Sequence, residues 1–185
     1  LSSSSAASDV YKRQGQTSMS NGGGAGAYAE GMYDVSALTS VMITIGQGGK
    51  GGTASSLYGE DGGTSSVGTL ISAPGGKAGL PAGPANPPFQ PVANSNSNAP
   101  LGWNIVGVSG PGAEAGTAVS TDYTIGSRGA NSQLGVGAAV QAINNPGVTG
   151  GGYGSGASGC SNGPSRPVNP GAAGCGGIVI IEEYA

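Results

Sequence analysis

Glycine recurs at every third position in two stretches of this chain, and this spacing restricts the backbone more than any other feature. The first series is Gly46, Gly49 and Gly52, and the second comprises three glycines in 171–177. A period of three suits an extended left-handed helix with three residues per turn, in which glycine lets neighbouring backbones approach closely. Short helices of this polyglycine type are therefore expected.

Large apolar residues occur in short runs of strand length. In the run 41–45, Val41, Ile43 and Ile45 alternate with Met42 and Thr44, which is typical of a half-buried strand. The closing run 178–181 is continuously apolar, which predicts a strand buried on both faces. Further strands are predicted at 27–35, 67–71, 103–108 and 119–125. The run 134–143 is either a strand or a short helix, and its two early glycines favour a strand.

No long stretch has an apolar period of 3.6 residues, so the pattern predicts an all-β fold. We expect a glycine-rich, β-sandwich-like domain with long loops. Proline and asparagine make 80–100 a surface loop, and 144–174 is a second one, rich in Gly, Pro and Ser.

Composition alone would suggest a disordered chain, because the 185 residues include 40 glycines and 12 prolines. However, only 8% of the residues are charged, and the net charge is -3. Chains that stay unfolded are usually rich in charge and poor in apolar residues. We therefore expect one folded domain over 15–185, with a thin core that association between identical chains would stabilise.

The same counts exclude several classes of function. Histidine is absent, which removes the commonest general base and metal ligand, so no catalysis and no cofactor are expected. The six basic residues are scattered singly and offer no surface for nucleic acid. No run of about 18 apolar residues is present, so membrane insertion is not expected.

Three local patterns have a structural alternative. Residues 46–51, GQGGKG, match a dinucleotide fingerprint, but no helix pattern follows, so a glycine-built turn is favoured. Glu60 and Asp61 supply too few oxygens for a calcium cage. Glu182 and Glu183 close a strand, where charge protects a sheet edge.

The chain has two cysteines, Cys160 and Cys175. A disulfide between them would close a loop around 161–174. Two cysteines are weak evidence for a disulfide framework, so bonded and free thiols stay open as alternatives.

The candidate binding residues are aromatic side chains in or beside the long loops. Phe89, Trp103, Tyr123 and Tyr153 would be contact anchors for a sugar or a protein. The alternative for Trp103 and Tyr123, which lie in strand-like runs, is that they fill the core.

Residues 1–14, LSSSSAASDVYKRQ, differ from the rest of the chain. They contain no glycine and include Lys12 and Arg13. The string resembles translated adapter sequence at the broken ends of metagenomic reading frames, so we expect it to be non-native. A secretory signal is the alternative, but the segment lacks an apolar central region.

Four stretches together resemble a known family. MITIGQGGKGG at 42–52, GGTSSVG at 62–68, the glycine turn at 73–79 and GIVIIEEY at 177–184 are similar to the glycine-rich domain at the distal end of bacteriophage tail fibres. Val67 stands where an aromatic residue is common in that family. The family begins with a further strand that is missing here, which would leave a sheet edge or gap exposed.

The resemblance implies a non-catalytic tip of a tail fibre, forming a homotrimer. It would be assembled in the host cytoplasm and act on the virion outside the cell. Variable loops within 80–174 would bind a bacterial surface polysaccharide or an outer-membrane protein.

Two alternatives belong to other classes. A purely structural glycine-rich protein of a wall or matrix would need no receptor. A polysaccharide depolymerase would need a pair of acidic residues, such as Glu114 and Asp122, to meet in a groove.

Overall fold

The computed structural model describes residues 15–184; the segment 1–14, expected to be non-native, and Ala185 lie outside the described residues. This part of the chain is all-β and contains no α-helix or 3₁₀-helix, which confirms the predicted class. Its strands are β1 (Thr17–Ser20), β2 (Tyr28–Glu30), β3 (Ile43–Thr44), β4 (Ser65–Val67), β5 (Ile71–Ala73), β6 (Pro81–Ala85), β7 (Val106–Val108), β8 (Thr117–Ala118), β9 (Thr124–Ile125), β10 (Leu134–Val136), β11 (Gly151–Tyr153) and β12 (Ser161–Asn162).

The strands form small antiparallel sheets. Two sheets have three strands, in the orders β12-β1-β6 and β3-β4-β5. The pairs β2-β7, β8-β9 and β10-β11 form two-stranded sheets. Between the strands, most of the backbone runs as extended segments that bond to one another outside any sheet.

Residues 20–27 form the central segment of this arrangement and are all buried. Its N–H groups donate to two antiparallel neighbours in steps of three residues. One neighbour is the segment 154–160: Ser20 N bonds to Cys160 O, Gly23 N to Ala157 O and Gly26 N to Gly154 O, at 2.8, 2.8 and 3.0 Å. The other is 74–80: Asn21 N bonds to Leu80 O, Gly24 N to Lys77 O and Ala27 N to Pro74 O, at 3.0, 2.9 and 2.8 Å.

This rotation of partners is that of a helix with three residues per turn, whose backbone groups point outward to neighbouring chains. A third neighbouring segment also accepts a bond from the central segment, because Ala25 N bonds to Pro111 O at 2.8 Å. We call the packed set of such segments the glycine bundle.

The two predicted glycine series pair with each other in this bundle. Gly171 N bonds to Gly52 O, Gly174 N to Gly49 O and Gly177 N to Gly46 O, at 3.0, 3.0 and 2.8 Å. A Cβ on Gly48 would lie 1.9 Å from Gly174 O, so the segments can pack this closely only through glycine. The glycines of 46–51 therefore serve bundle packing rather than an isolated turn.

The interior holds few large side chains. Met19 is the largest fully buried side chain, followed by Asn21 and Asn162, and most of the others are small residues such as Ala25, Ala27 and Ser127. Backbone hydrogen bonds between close-packed segments replace the usual hydrophobic core. The thin core expected from composition is thus a bundle interior built from Gly, Ala and Ser.

Because neighbouring segments run antiparallel, the connections between them gather at two ends. We name each end after one aromatic residue it carries. The Trp103 end comprises 28–45, 66–72, 98–109, 131–136, 150–153 and 178–184. The Phe89 end comprises 15–19, 53–59, 81–93, 114–126, 143–146 and 161–170.

Several predicted strands are shorter than the apolar runs or are divided. The run 67–71 turns between β4 and β5, and 119–125 contains the turn between β8 and β9. In 27–35 and 134–143 only the beginnings, β2 and β10, are strands. The predicted loop 80–100 contains β6, because Pro81–Ala85 lines the buried strand β1.

The prediction of a doubly buried strand at 178–181 is wrong. Residues 178–181 form no strand, and Ile180 and Ile181 are 69% and 50% exposed. Beyond Gly177 the backbone has no neighbouring segment within hydrogen-bonding reach in the described chain.

Candidate functional site

The four predicted contact residues divide between the two ends. Phe89 and Tyr123 lie at one end, and Trp103 and Tyr153 lie at the other. They therefore do not form one site. Tyr123, Trp103 and Tyr153 are 59%, 47% and 48% exposed, so none of the three fills the core.

Phe89 and Tyr123 are held by the β8-β9 hairpin. The backbone of Phe89 exchanges two hydrogen bonds with Ala118 in β8, at 3.1 and 2.9 Å, and the residue is half-buried. Tyr123 lies in the hairpin turn, where its carbonyl accepts bonds from Val119 N and Ser120 N at 3.1 and 3.0 Å. The hairpin thus fixes both backbones and leaves the Tyr123 ring in solvent.

Trp103 lies on a loop that is tied to the segment 28–45. The Asn104 side chain accepts a bond from Met32 N at 2.9 Å and donates one to Met32 O at 2.8 Å. Tyr33 Oη donates to Gly102 O at 2.7 Å. The Trp103 ring lies over Gly107, where a Cβ would be 2.3 Å from the indole. The loop and the tryptophan are therefore held in place although both are exposed.

Tyr153 ends β11, which pairs with β10 at the same end. It pairs with Leu134, and its carbonyl accepts a 2.5 Å bond from Ser132 Oγ. Its ring remains half exposed.

A polar groove runs along the side of the bundle between 108–114 and 128–133. It consists of two adjoining shallow and open depressions of about 140 and 270 Å³, which share Pro111 and Asn131 and expose apolar as well as polar atoms. The residues that bring chemistry to its lining are Tyr28, Glu114, Arg128, Asn131, Ser132 and Gln133. Amides, a guanidinium, a carboxylate and one aromatic ring suit a ligand with many hydroxyl groups.

Sequence reasoning did not single out Arg128, Asn131 or Gln133. They are isolated polar residues in loop-like stretches, and nothing in their spacing marks them. Only the pairing of 127–130 with the central segment brings them beside 110–114: Ala130 N bonds to Gly23 O at 3.0 Å, and Gly22 N bonds to Ser127 Oγ at 2.7 Å.

The acidic pair considered for a depolymerase, Glu114 and Asp122, is divided between the groove and a hairpin turn. Glu114 lies before β8 and lines the groove, whereas Asp122 lies in the turn beyond β8 and bonds to Thr121 Oγ1 at 3.2 Å. Within residues 15–184, no group of three or more His, Cys, Asp or Glu side chains could hold a metal ion.

Glu60 and Asp61, considered for calcium, pair with lysines instead. Lys50 Nζ lies 3.6 Å from Glu60, and Lys77 Nζ lies 2.8 Å from Asp61. Asp61 also accepts a 2.8 Å bond from Ala78 N.

Cys160 and Cys175 do not form a disulfide. Cys175 N bonds to Ser155 O at 3.0 Å, which places Cys175 opposite Ser155 on the neighbouring segment. Cys160 lies five residues further along that segment, about 15 Å away at the usual rise of this helix. A disulfide requires Cα atoms within about 7 Å.

The shifted pKa values of the described residues all belong to the Trp103 end. Tyr28 donates a hydrogen bond to Glu30, which raises the pKa of Tyr28. The bond from Ser36 N to Asp34, 2.9 Å long, lowers the pKa of the Asp34 carboxyl. Tyr184 donates to Glu182 at 2.7 Å, which raises the pKa of Tyr184.

The Trp103 end also carries most of the exposed large apolar side chains. They are Met32, Val35, Leu38, Val41, Met42, Ile43, Ile45, Leu101, Trp103, Ile105, Val106, Val108, Leu134, Val136, Tyr153, Ile180, Ile181 and Tyr184. At the Phe89 end the corresponding residues are Tyr58, Val92, Val119, Tyr123 and Ile125. The sequence showed these apolar runs but not that they share one end.

Comparison with protein-family models, curated proteins and solved structures found no match to this chain. Among residues 15–184, no helix is long and apolar enough to cross a membrane.

Proposed function

We propose that this chain is a non-catalytic adhesion module of a bacteriophage tail fibre, and that it binds a bacterial surface polysaccharide. The observation that carries the proposal is the polar groove on the side of the glycine bundle. The groove presents hydrogen-bonding side chains and one aromatic ring on a backbone fixed by the central segment. Three of the four stretches that resemble the tail-fibre family, at 42–52, 62–68 and 73–79, contribute glycine segments to that bundle.

Saccharide binding follows from the chemistry of the lining. Sugars present hydroxyl groups that bind to amides and charged groups, and carbohydrate rings stack on aromatic faces. Arg128 and Gln133 are exposed, and no described group bonds to their side chains. A ligand can therefore bind to them without displacing a bond within the protein.

The fibre assignment also includes a homotrimer, because repeated weak contacts from identical subunits raise avidity. Light scattering of the purified chain tests that part separately. A mass of three chains is the expected result, and a monomer would remove the trimer from the proposal.

The binding proposal is tested on an array of bacterial surface polysaccharides. We expect at least one glycan to bind, and Arg128→Ala to weaken its binding about tenfold, as for the loss of one hydrogen bond to a charged group. Arg166→Ala is the matched control, because Arg166 is exposed at the Phe89 end and does not line the groove.

Other outcomes favour the alternatives. Binding to whole cells that survives periodate treatment, without binding to any glycan, would favour an outer-membrane protein as the receptor. Binding to neither cells nor glycans would favour a structural wall or matrix protein. Release of reducing sugar ends from a bound glycan would favour a depolymerase.

A further inference from the structure

A second surface of the molecule lies at the Trp103 end, and it combines exposed apolar side chains with negative charge. Met42 is 77% exposed, Ile180 69% and Tyr184 80%. Soluble proteins rarely leave a contiguous apolar surface of this kind without a partner.

The charges at this end have one sign. Glu30, Asp34, Glu182 and Glu183 are exposed there. The basic residues of the described chain, Lys50, Lys77, Arg128 and Arg166, all lie in other segments. A partner for this surface must therefore bring apolar groups together with positive charge.

Two backbone segments at this end, the tail 178–184 and the outer edge of β3, lack a hydrogen-bonded neighbour among the described residues. Gly177 N bonds to Gly46 O, at 2.8 Å, and beyond that bond the tail 178–184 and the strand β3 make no backbone hydrogen bond to each other. β3 pairs with β4 on its other side only. Within residues 15–184, the backbone of 178–184 has no strand partner.

We propose that the Trp103 end is a docking surface for an extended segment of another polypeptide, in which apolar and basic side chains alternate. The segment adds as a strand to the free edge of β3, beside the tail 178–184. Its backbone bonds to that edge, its apolar side chains cover residues such as Met42 and Ile180, and its basic side chains face Glu182 and Glu183.

Charge decides against the Trp103 end of a second copy as the occupant. Two Trp103 ends facing each other would bring both sets of carboxylates together, without a basic residue of those segments between them. An acidic surface is likewise repelled by the anionic lipids of a bacterial membrane.

Trp103 provides the readout, because it is the only tryptophan in the chain and lies half exposed on this surface. The probe is a synthetic peptide of alternating lysine and valine, about nine residues long, which is within the usual range for strands. We expect saturable binding to the full chain with a blue shift of Trp103 emission. Glutamate in place of lysine should abolish the shift.

Two variants test the contacts. The double substitution Glu182→Gln and Glu183→Gln should weaken binding about two- to fivefold for each carboxylate removed. Asp122→Asn, at the Phe89 end, is the matched control and should leave it unchanged. Ile180→Ser should weaken binding without lowering the unfolding midpoint, because the side chain is exposed.

A modified peptide tests whether the partner binds as a strand through its backbone. N-methylation of alternate peptide residues removes the backbone donors of one strand edge, so the methylated peptide should no longer bind. Equal binding of the methylated peptide, or of the glutamate peptide, would overturn the proposal.

Three further results would also overturn it. They are no shift with the lysine peptide, a blue shift on concentrating the protein alone, and a larger shift with phosphatidylcholine vesicles. The second would identify another copy of this chain as the occupant, and the third a lipid surface. The glycan array with Arg128→Ala is a separate experiment, so the groove and this surface can fail independently.

Discussion

The interior of the glycine bundle and the surface of the Trp103 end contain opposite kinds of residue. The interior is built from glycine, alanine and serine, with Met19 as its largest fully buried side chain. The Trp103 end carries isoleucine, valine, methionine and tryptophan in solvent. In most globular proteins the large apolar residues are inside and drive folding by their burial.

This reversal has a physical reason. Segments with three residues per turn point their N–H and C=O groups at neighbouring segments, so a Cβ that points at a neighbouring backbone separates donors from acceptors. Tight backbone contact then excludes large side chains, which are left at the ends where the segments stop. Stability should therefore depend on the absence of side chains in the bundle and hardly at all on apolar side chains at the ends.

The strongest test adds one methyl group to the interior. In Gly156→Ala the new Cβ would lie 1.9 Å from Gly23 O, a backbone atom of the central segment. We expect a loss of about 3 kcal/mol or more in the free energy of unfolding, since the overpacked backbone cannot move away. Denaturant unfolding measures it.

Gly151→Ala is the control for that substitution. Gly151 lies five residues away in β11, and a Cβ there meets nothing within 4 Å. Equal midpoints for the two variants would show that the bundle tolerates side chains and would break the comparison.

The second test removes the one large interior side chain. Met19→Ala should lower the free energy of unfolding by about 2 to 3 kcal/mol, through lost burial and a cavity. Met42→Ala, at a position 77% exposed, should change it by less than about 0.5 kcal/mol. A larger effect at Met42 would mean that the Trp103 end is already covered within the free protein.

The third test concerns a side chain that replaces a backbone partner. Ser127 Oγ accepts a 2.7 Å bond from Gly22 N and donates a 2.5 Å bond to Glu114 O. Ser127→Ala leaves the buried Gly22 N–H without an acceptor, which should cost about 1 to 2 kcal/mol. Thermal unfolding against the exposed control Ser95→Ala measures the difference, and identical curves would contradict the role of Ser127.

The smallest effect is expected for surface charge. Lys77→Ala removes a 2.8 Å pair with Asp61 that is partly shielded, and should cost about 0.5 kcal/mol at low salt. Lys50→Ala removes a looser pair with Glu60, 3.6 Å apart and largely exposed, and should have no measurable effect. Unfolding at low and high salt checks both, and a loss at Lys77 that is insensitive to salt would argue against a charge effect.

Local sequence pattern predicted some strands better than others. The hairpins at β4-β5 and β8-β9 lie inside apolar runs that each predict one strand. Their turns do carry turn residues, Gly68 in the first and Ser, Thr and Asp at 120–122 in the second, but the apolar pattern outweighed these signals. The apolar run at 178–181 predicts a buried strand, but the structure leaves this tail exposed. Burial depends on a partner strand, and local composition cannot supply one.

None of the four predicted contact residues lines the groove, whose one aromatic ring belongs to Tyr28. Tyr123, Trp103 and Tyr153 are exposed, in keeping with a contact role, but their separation to two ends follows from the direction of each segment. The groove around Arg128 and Asn131 could not be predicted, because it forms where 127–130 and 110–114 both meet the central segment. The separation of Cys160 from Cys175 has the same origin.

The sequence by itself determined the kind of backbone this protein has. Glycine at every third position permits close packing of three-fold segments, and that is a local property of residues without a Cβ. Only the tertiary structure decided which segments are neighbours, and therefore which loops share an end and which apolar runs stay in solvent. Those pairings join residues far apart in the chain, through backbone groups that are identical at every glycine, so no local pattern distinguishes one partner from another.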